Sequence, residues 1–393
     1  MPKPSGKAGT KSAATATPDR TIMQFASLAS VRHRVRLGEP LPFSVRDGDR
    51  TLLLARGHLL RSQAQLDVLM NRGALVDLGE LQTPSERARQ APREEMPRLW
   101  QETFGQIGQV LVDSKAETFA GALEESVGPA LALVERDPDL AIFQVLSQGA
   151  TPSTAYGVRR SLHSAITASL VAQRLAWQPS DVERAFKVAL TMNLSMLALQ
   201  GDLARQLTPP TPEQRVQLQS HPMRSLQMLQ RAGVSDQDWL TAVLQHHEVE
   251  DGTGYPSGRS DVCELASLAR RADIYTAKLA ARRSRESMSA DVAGRAIFMQ
   301  DPSHPMTQAL VKEFGIYPPG SLVRLGSGEA AIVVQRGPTV TTPVVACFTD
   351  AGDRPIAAPY RVATSEPGRG VVSLLHPATP QPNAKIIAAA LLG

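Results

Sequence analysis

From about Pro97 to Phe314 almost every segment spaces its apolar side chains at helical intervals, which limits more than half of the chain to a helical bundle. Phe104, Ile107, Val110 and Leu111 form one such stripe, and Ala165, Ile166, Leu170 and Val171 another. Breaks fall at proline-rich spots such as Thr208-Pro-Pro-Thr-Pro212. After Tyr317-Pro-Pro-Gly320 the period changes to that of short strands, SLVRL, EAAIVVQR, TPVVACFTD and GVVSLLH, separated by Gly, Pro and Asp.

Before the bundle the pattern is different. Between Val31 and Asp77 two apolar runs flank Asp47-Gly48, a hairpin signal. Ser62 with Gln65 three residues on then opens a short helix that Gly73 closes. The Thr-Pro-Ser-Glu-Arg and Pro-Arg-Glu-Glu stretches that follow have the composition of a linker. These boundaries predict a disordered basic leader over 1–28, a small β-rich module with one helix over 29–79, a linker over 80–96, a helical domain over 97–315, and a β appendage with a tail over 316–393. The fold class is therefore mainly α, with a small β module at each end. A chain of 393 residues is long enough for these several cores.

Charge and cysteines exclude several function classes. The formal net charge is +4, and Lys3, Lys7, Lys11 and Arg20 against Asp19 account for +3 of it. The remaining chain is almost neutral, so a nucleic-acid surface is not expected. Cys263 and Cys347 lie far apart without metal-ribbon spacing, and both are read as reduced and structural. No run of 18 apolar residues spans a membrane, and the lysine-bearing start lacks the apolar core of a secretory signal, so the expected location is the cytoplasm. His33, His58, His304 and His376 stand alone and are read as structural or exposed.

The densest chemical signal is the string His246-His247-Glu248-x-x-Asp251-Gly252-x-Gly254-Tyr255-Pro256. Paired imidazoles at a helix end, followed by a carboxylate and a Gly-x-Gly turn, suit a metal and an anionic ligand at the rim of a cleft. His163-Ser164, His221-Pro222 and Ala272-Asp273-Ile274-Tyr275 stand around it in order. Met192 lies 29 residues after His163, His221 29 after Met192, His246 25 further on, and Asp273 26 past His247. String and spacing together resemble the HD-GYP domain family, the HD-type cyclic-di-GMP phosphodiesterase module of bacteria, over roughly 160 residues.

The resemblance implies an HD-type helical bundle in which His163, His221, His246, His247 and Asp273 are metal ligands. It implies phosphate contacts from Arg282 and Arg285, and a ligand-facing loop of Asp251, Gly252, Gly254, Tyr255 and Pro256. It departs from the family at the dyad. Met192 and Asn193 occupy the positions of the His and of the Asp that bridges two metal ions, Met196 stands where the family has Lys or Met, so that no phosphate-binding Lys is present there, and Arg159 replaces the Glu that some members carry. A thioether and a neutral carboxamide are poor ligands for a hard dinuclear centre of the iron or manganese class. At most one divalent metal, held by the surviving histidines, is expected.

The expectation is thus a degenerate signalling protein that binds cyclic di-GMP or a partner, with GGDEF-domain proteins as the partner the family suggests and oligomerisation open. The competing reading is an active phosphodiesterase with an atypical mononuclear site, and a third is a scaffold bundle without nucleotide binding. Read without the resemblance, Asp273 is a helix-surface carboxylate for Arg270 to pair with, and Arg282 to Arg285 a solvated basic turn.

Overall fold

The computed structural model describes residues 25–146 and 153–375. The leader predicted over 1–28 lies outside the described residues up to position 24, as does the tail from His376, while Phe25–Ser27 form a strand. Two compact units divide at Thr83/Pro84.

In the first unit β1 (Phe25–Ser27), β2 (Val45–Arg46), β3 (Leu52–Leu54) and β4 (Leu75–Asp77) form an antiparallel sheet of order β1-β4-β2-β3. Helices α1 (Gln63–Asn71) and α2 (Leu78–Leu81) complete it. The Asp47 carboxylate accepts from the Asp49 and Thr51 backbone N–H groups, which closes the β2–β3 turn. Ser62 caps α1 by accepting from the Gln65 N–H, while the Gln65 side chain accepts from Arg61 rather than from Ser62, a capping box displaced by one residue. Leu28, Phe43, Val45, Leu66 and Val76 make the core, and His33 and His58 are exposed.

The second unit opens with α3 (Pro84–Gln90), α4 (Met96–Val112), α5 (Phe119–Arg136) and α6 (Pro138–Leu146). The stretch 80–96, expected as a linker, thus carries helix. Pro84 at the first position, Glu86 in the first turn and Arg87 and Arg89 in the last suit α3 to its dipole. Its Ala88 is buried, and Arg136 of α5 donates to the Arg89 and Ala91 carbonyls, so the segment is packed rather than extended.

Helices α7 (Ser153–Arg174), α8 (Pro179–Thr191), α9 (Leu197–Arg205), α10 (Pro212–Arg231), α11 (Gln237–Gln245), α12 (Glu264–Leu279), α13 (Ala290–Gln300) and α14 (Pro305–Phe314) follow. The centre of the bundle is α7, buried along most of its length because Ala165, Ala168, Ala172, Ser161, Ser164 and Ser169 let its neighbours approach closely. Gly157 makes one such approach obligatory, since a Cβ there would meet the Leu197 carbonyl oxygen at 2.2 Å.

Strands β5 (Leu322–Leu325), β6 (Ala330–Gln335), β7 (Val344–Thr349), β8 (Pro355–Ala363) and β9 (Val371–Leu374) form an antiparallel sheet of order β8-β7-β6-β5-β9. Its alternation is two-sided. Ala330, Ile332 and Val334 join the helical core, while Ala331 and Val333 join a second core with Val323, Val345 and Cys347. Arg336 pairs with Asp139 and Glu313, tying β6 to the helices. Mostly helical with a small sheet at each end, the molecule has the predicted fold class. Both cysteines are free.

Candidate metal and ligand site

His221 lies inside α10 one residue before Pro222, and His246 is the C-cap of α11. A proline has no N–H, so Pro222 leaves the carbonyl four residues earlier, that of Leu218, without its helical donor. His221 supplies one, Nδ1–H to the Leu218 oxygen. At the end of α11 the last carbonyls are orphaned in the same way, and His246 donates its Nδ1–H to the Val243 oxygen at 2.7 Å. Each backbone contact fixes the tautomer of its ring and leaves Nε2 as a bare lone pair.

The two Nε2 atoms face each other 3.0 Å apart. Two lone pairs at that distance repel unless a cation is shared between them. His247 adds a third imidazole, with its ring 4.9 Å from that of His221 and 4.2 Å from that of His246, and one ligand atom from each of the three lies within 4.8 Å of the others. Among the described residues these three form the only group of three or more His, Cys, Asp or Glu that close. Burial is the main cause that holds all three rings neutral, pushing His247 down to about 3 and His221 and His246 below the ordinary histidine value. Neutral imidazole is the metal-binding form, and three imidazoles are a sufficient protein ligand set for one divalent ion with a position left open.

The other two predicted ligands stand outside this group. His163 is buried on α7, and burial, aided by the neighbouring Arg159 and Arg160, holds its pKa down to about 3. Asp273 on α12 pairs with Arg160 at 2.6 Å, not with Arg270. Arg160, one helical turn before His163, is the residue that sequence reasoning missed; only its phase on α7 distinguishes it from Arg159. Asn193 is buried between α8 and α9, and its Nδ2 donates to Asp273 Oδ1 at 3.4 Å. Met192 is fully buried in the apolar core.

A cleft of about 410 Å³ opens beside the imidazoles, within the size range of small-ligand sites. His221, His247, Tyr255, Asp273, Arg160 and Arg282 line it. The Tyr255 ring stacks on His247 at 4.5 Å. Gly254 permits this, since a Cβ there would meet the backbone of His247, Glu248 and Val249 at 2.5 Å. Buried Glu248 fastens the loop by accepting from the Ser257 and Arg259 N–H groups. Gly252 has a φ of +77°, and exposed Asp251 closes its own turn by accepting from Thr253, away from the cleft lining. Pro256 follows a cis bond. Arg282 and Arg285 exchange backbone hydrogen bonds in one turn, but only Arg282 lines the cleft, because the Arg285 guanidinium donates to the Ala277 carbonyl.

Residues 145–298 match the family model described as HD domain. Residues 145–298 are an HD domain. Its string from His246 to Pro256 is that of the HD-GYP kind. A cyclic di-GMP phosphodiesterase of Pseudomonas aeruginosa is 35% identical to this chain over 138 residues, which are 33% of this chain. The chain spans about a third of the length of that relative, 33%. A solved structure described as an HDG"Y"P protein from Bdellovibrio bacteriovorus aligns with 74% of this chain and 98% of its own, at 16% identity and a TM-score of 0.48. Among the described residues no helix is long and apolar enough to cross a membrane.

Proposed function

We propose that the HD domain binds cyclic di-GMP in the cleft beside His221, His246 and His247 and acts as a receptor with little or no hydrolysis. One observation carries this reading. At the place of the bridging carboxylate, Asn193 presents a neutral amide whose Nδ2 donates to Asp273. A dinuclear centre needs an anionic oxygen there to hold two cations together and generate hydroxide from a shared water. An amide that already serves a neighbouring carboxylate supplies neither the charge nor the bridge.

The three imidazoles fit a single divalent ion of the iron or manganese class, which when bound would supply Lewis-acid attraction for a phosphoryl oxygen. The chain's own groups do the rest of the binding. Arg282 offers a guanidinium at the cleft mouth, a group that pairs with phosphate by two parallel hydrogen bonds. Tyr255, stacked on His247, forms an aromatic wall. A receptor of this kind acts by contact, and GGDEF-domain proteins are the partner class proposed for the exposed side of the 251–256 loop.

The competing reading, slow hydrolysis at a mononuclear site, draws on the unbroken His246 to Pro256 string and the open cleft. The receptor reading is tested by calorimetric titration of cyclic di-GMP into the full-length protein. Arg282→Ala is expected to weaken binding about tenfold, the value of one charge-assisted contact. Absence of affinity in the unaltered protein, or equal affinity in Arg282→Ala, contradicts it.

A further inference from the structure

The ion pair between Arg160 and Asp273 leaves half of a guanidinium unused. Arg160 is 5% exposed, and its Nη2 donates to both Oδ1 and the backbone oxygen of Asp273, at 2.6 and 3.3 Å. Its other arm, Nη1, is buried and has no hydrogen-bond partner, although Arg160 lines the cleft. Two more buried polar atoms without partners belong to lining residues, Tyr156 Oη one turn earlier on α7 and Gln200 Oε1 on α9. Buried polar groups are almost always paired in the working state of a protein. A donor, a hydroxyl and an acceptor left open in one cleft therefore point to a polar ligand that completes them.

The position of the charge is informative. In the family resemblance Asp273 is a metal ligand, and here a permanent cation of the chain itself holds its carboxylate. Guanidinium stays protonated at every working pH and presents its donors as a planar fork matched to phosphate. It attracts a phosphoryl oxygen as a metal ion does, but it cannot lower the pKa of a bound water. We infer that Arg160 stands in for one of the two cations of a dinuclear site, holding Asp273 with one arm and taking a phosphodiester oxygen of the ligand with the other. The ligand half of this inference rests on the reading under Proposed function; the cation half does not.

Two measurements on the full-length protein test the halves separately. The first is elemental analysis of Met192→His/Asn193→Asp, which restores the dyad, with and without Arg160→Ala. The triple variant is expected to carry one more divalent ion per chain than the double variant, because only it frees Asp273. A double variant that already gains the ion, or a triple variant that folds and gains none, overturns the cation half.

The second is titration of cyclic di-GMP in the presence of EDTA. Arg160→Lys keeps a charge for Asp273 and so preserves the buried pair, but it lacks the second arm. It is expected to bind about tenfold more weakly than the unaltered protein. Asp273→Asn removes the carboxylate that competes for the guanidinium and is expected to bind more tightly. Arg160→Lys within twofold of the unaltered protein, or weaker binding by Asp273→Asn, overturns the ligand half. An unaltered protein with no affinity for cyclic di-GMP in EDTA or in added manganese sinks the receptor reading and the ligand half with it, and the metal counts then decide the cation half alone; affinity in manganese only overturns the ligand half.

Discussion

At the scale of single residues, His221 and Pro222 work as a unit. The proline frees the Leu218 carbonyl and the histidine fills it, which directs Nε2 toward His246. Pro222→Ala would return an N–H to that carbonyl and loosen the tautomer, although removing a proline from the helix interior favours α10 itself. The expected result is metal affinity lower by about tenfold with unchanged or raised thermal stability, read by metal titration and melting; undiminished affinity would contradict it. His163 gives a prediction in pH. Its folded pKa, about 3, lies below that of the unfolded chain, so between the two the unfolded state binds more protons. The contribution is therefore complete above the unfolded value and is lost as pH falls toward the folded one, about 2 kcal/mol by pH 5. Denaturant unfolding of His163→Gln should show a flatter dependence between pH 6.5 and 5, and an unchanged slope would refute the assignment. The grouping of His221, His246 and His247 was legible in the sequence because each stands in a short contiguous motif. Arg160 was not, since its meaning comes from a contact 113 residues away.

At the scale of elements, the loop from Val249 to Arg259 is folded by its own backbone needs. Glu248 holds its far end, and Gly254 lets it lie against the backbone that carries His247. Gly254→Ala places a methyl group 2.5 Å from that backbone and must displace Tyr255 from His247. Binding of cyclic di-GMP should fall by at least tenfold while far-ultraviolet circular dichroism stays unchanged. Normal binding would show that the stacked tyrosine is not part of the site. Helix spacing and turn residues foretold the bundle, the 47–51 turn and the C-terminal strands, because each follows from local periodicity. The 80–96 stretch was misread because its helix is secured by packing of Ala88 and by Arg136 of α5, and composition reports neither.

At the scale of the molecule, one apolar core joins the helices of the HD domain to one face of the C-terminal sheet, and the site is set among α7, α9, α10 and α12. In the sequence, Met192 and Asn193 stand where the family resemblance expects the dyad. Only the structure places the Met192 side chain in the apolar core and the buried Arg160 guanidinium on the Asp273 carboxylate. Retention of a ligand without turnover is the property proposed for this site. Its most direct test combines elemental analysis of the purified full-length protein with a cyclic-di-GMP turnover assay in manganese or iron. No more than one divalent ion per chain and cyclic di-GMP recovered intact are expected; two ions per chain with repeated opening of the ring would contradict the receptor reading.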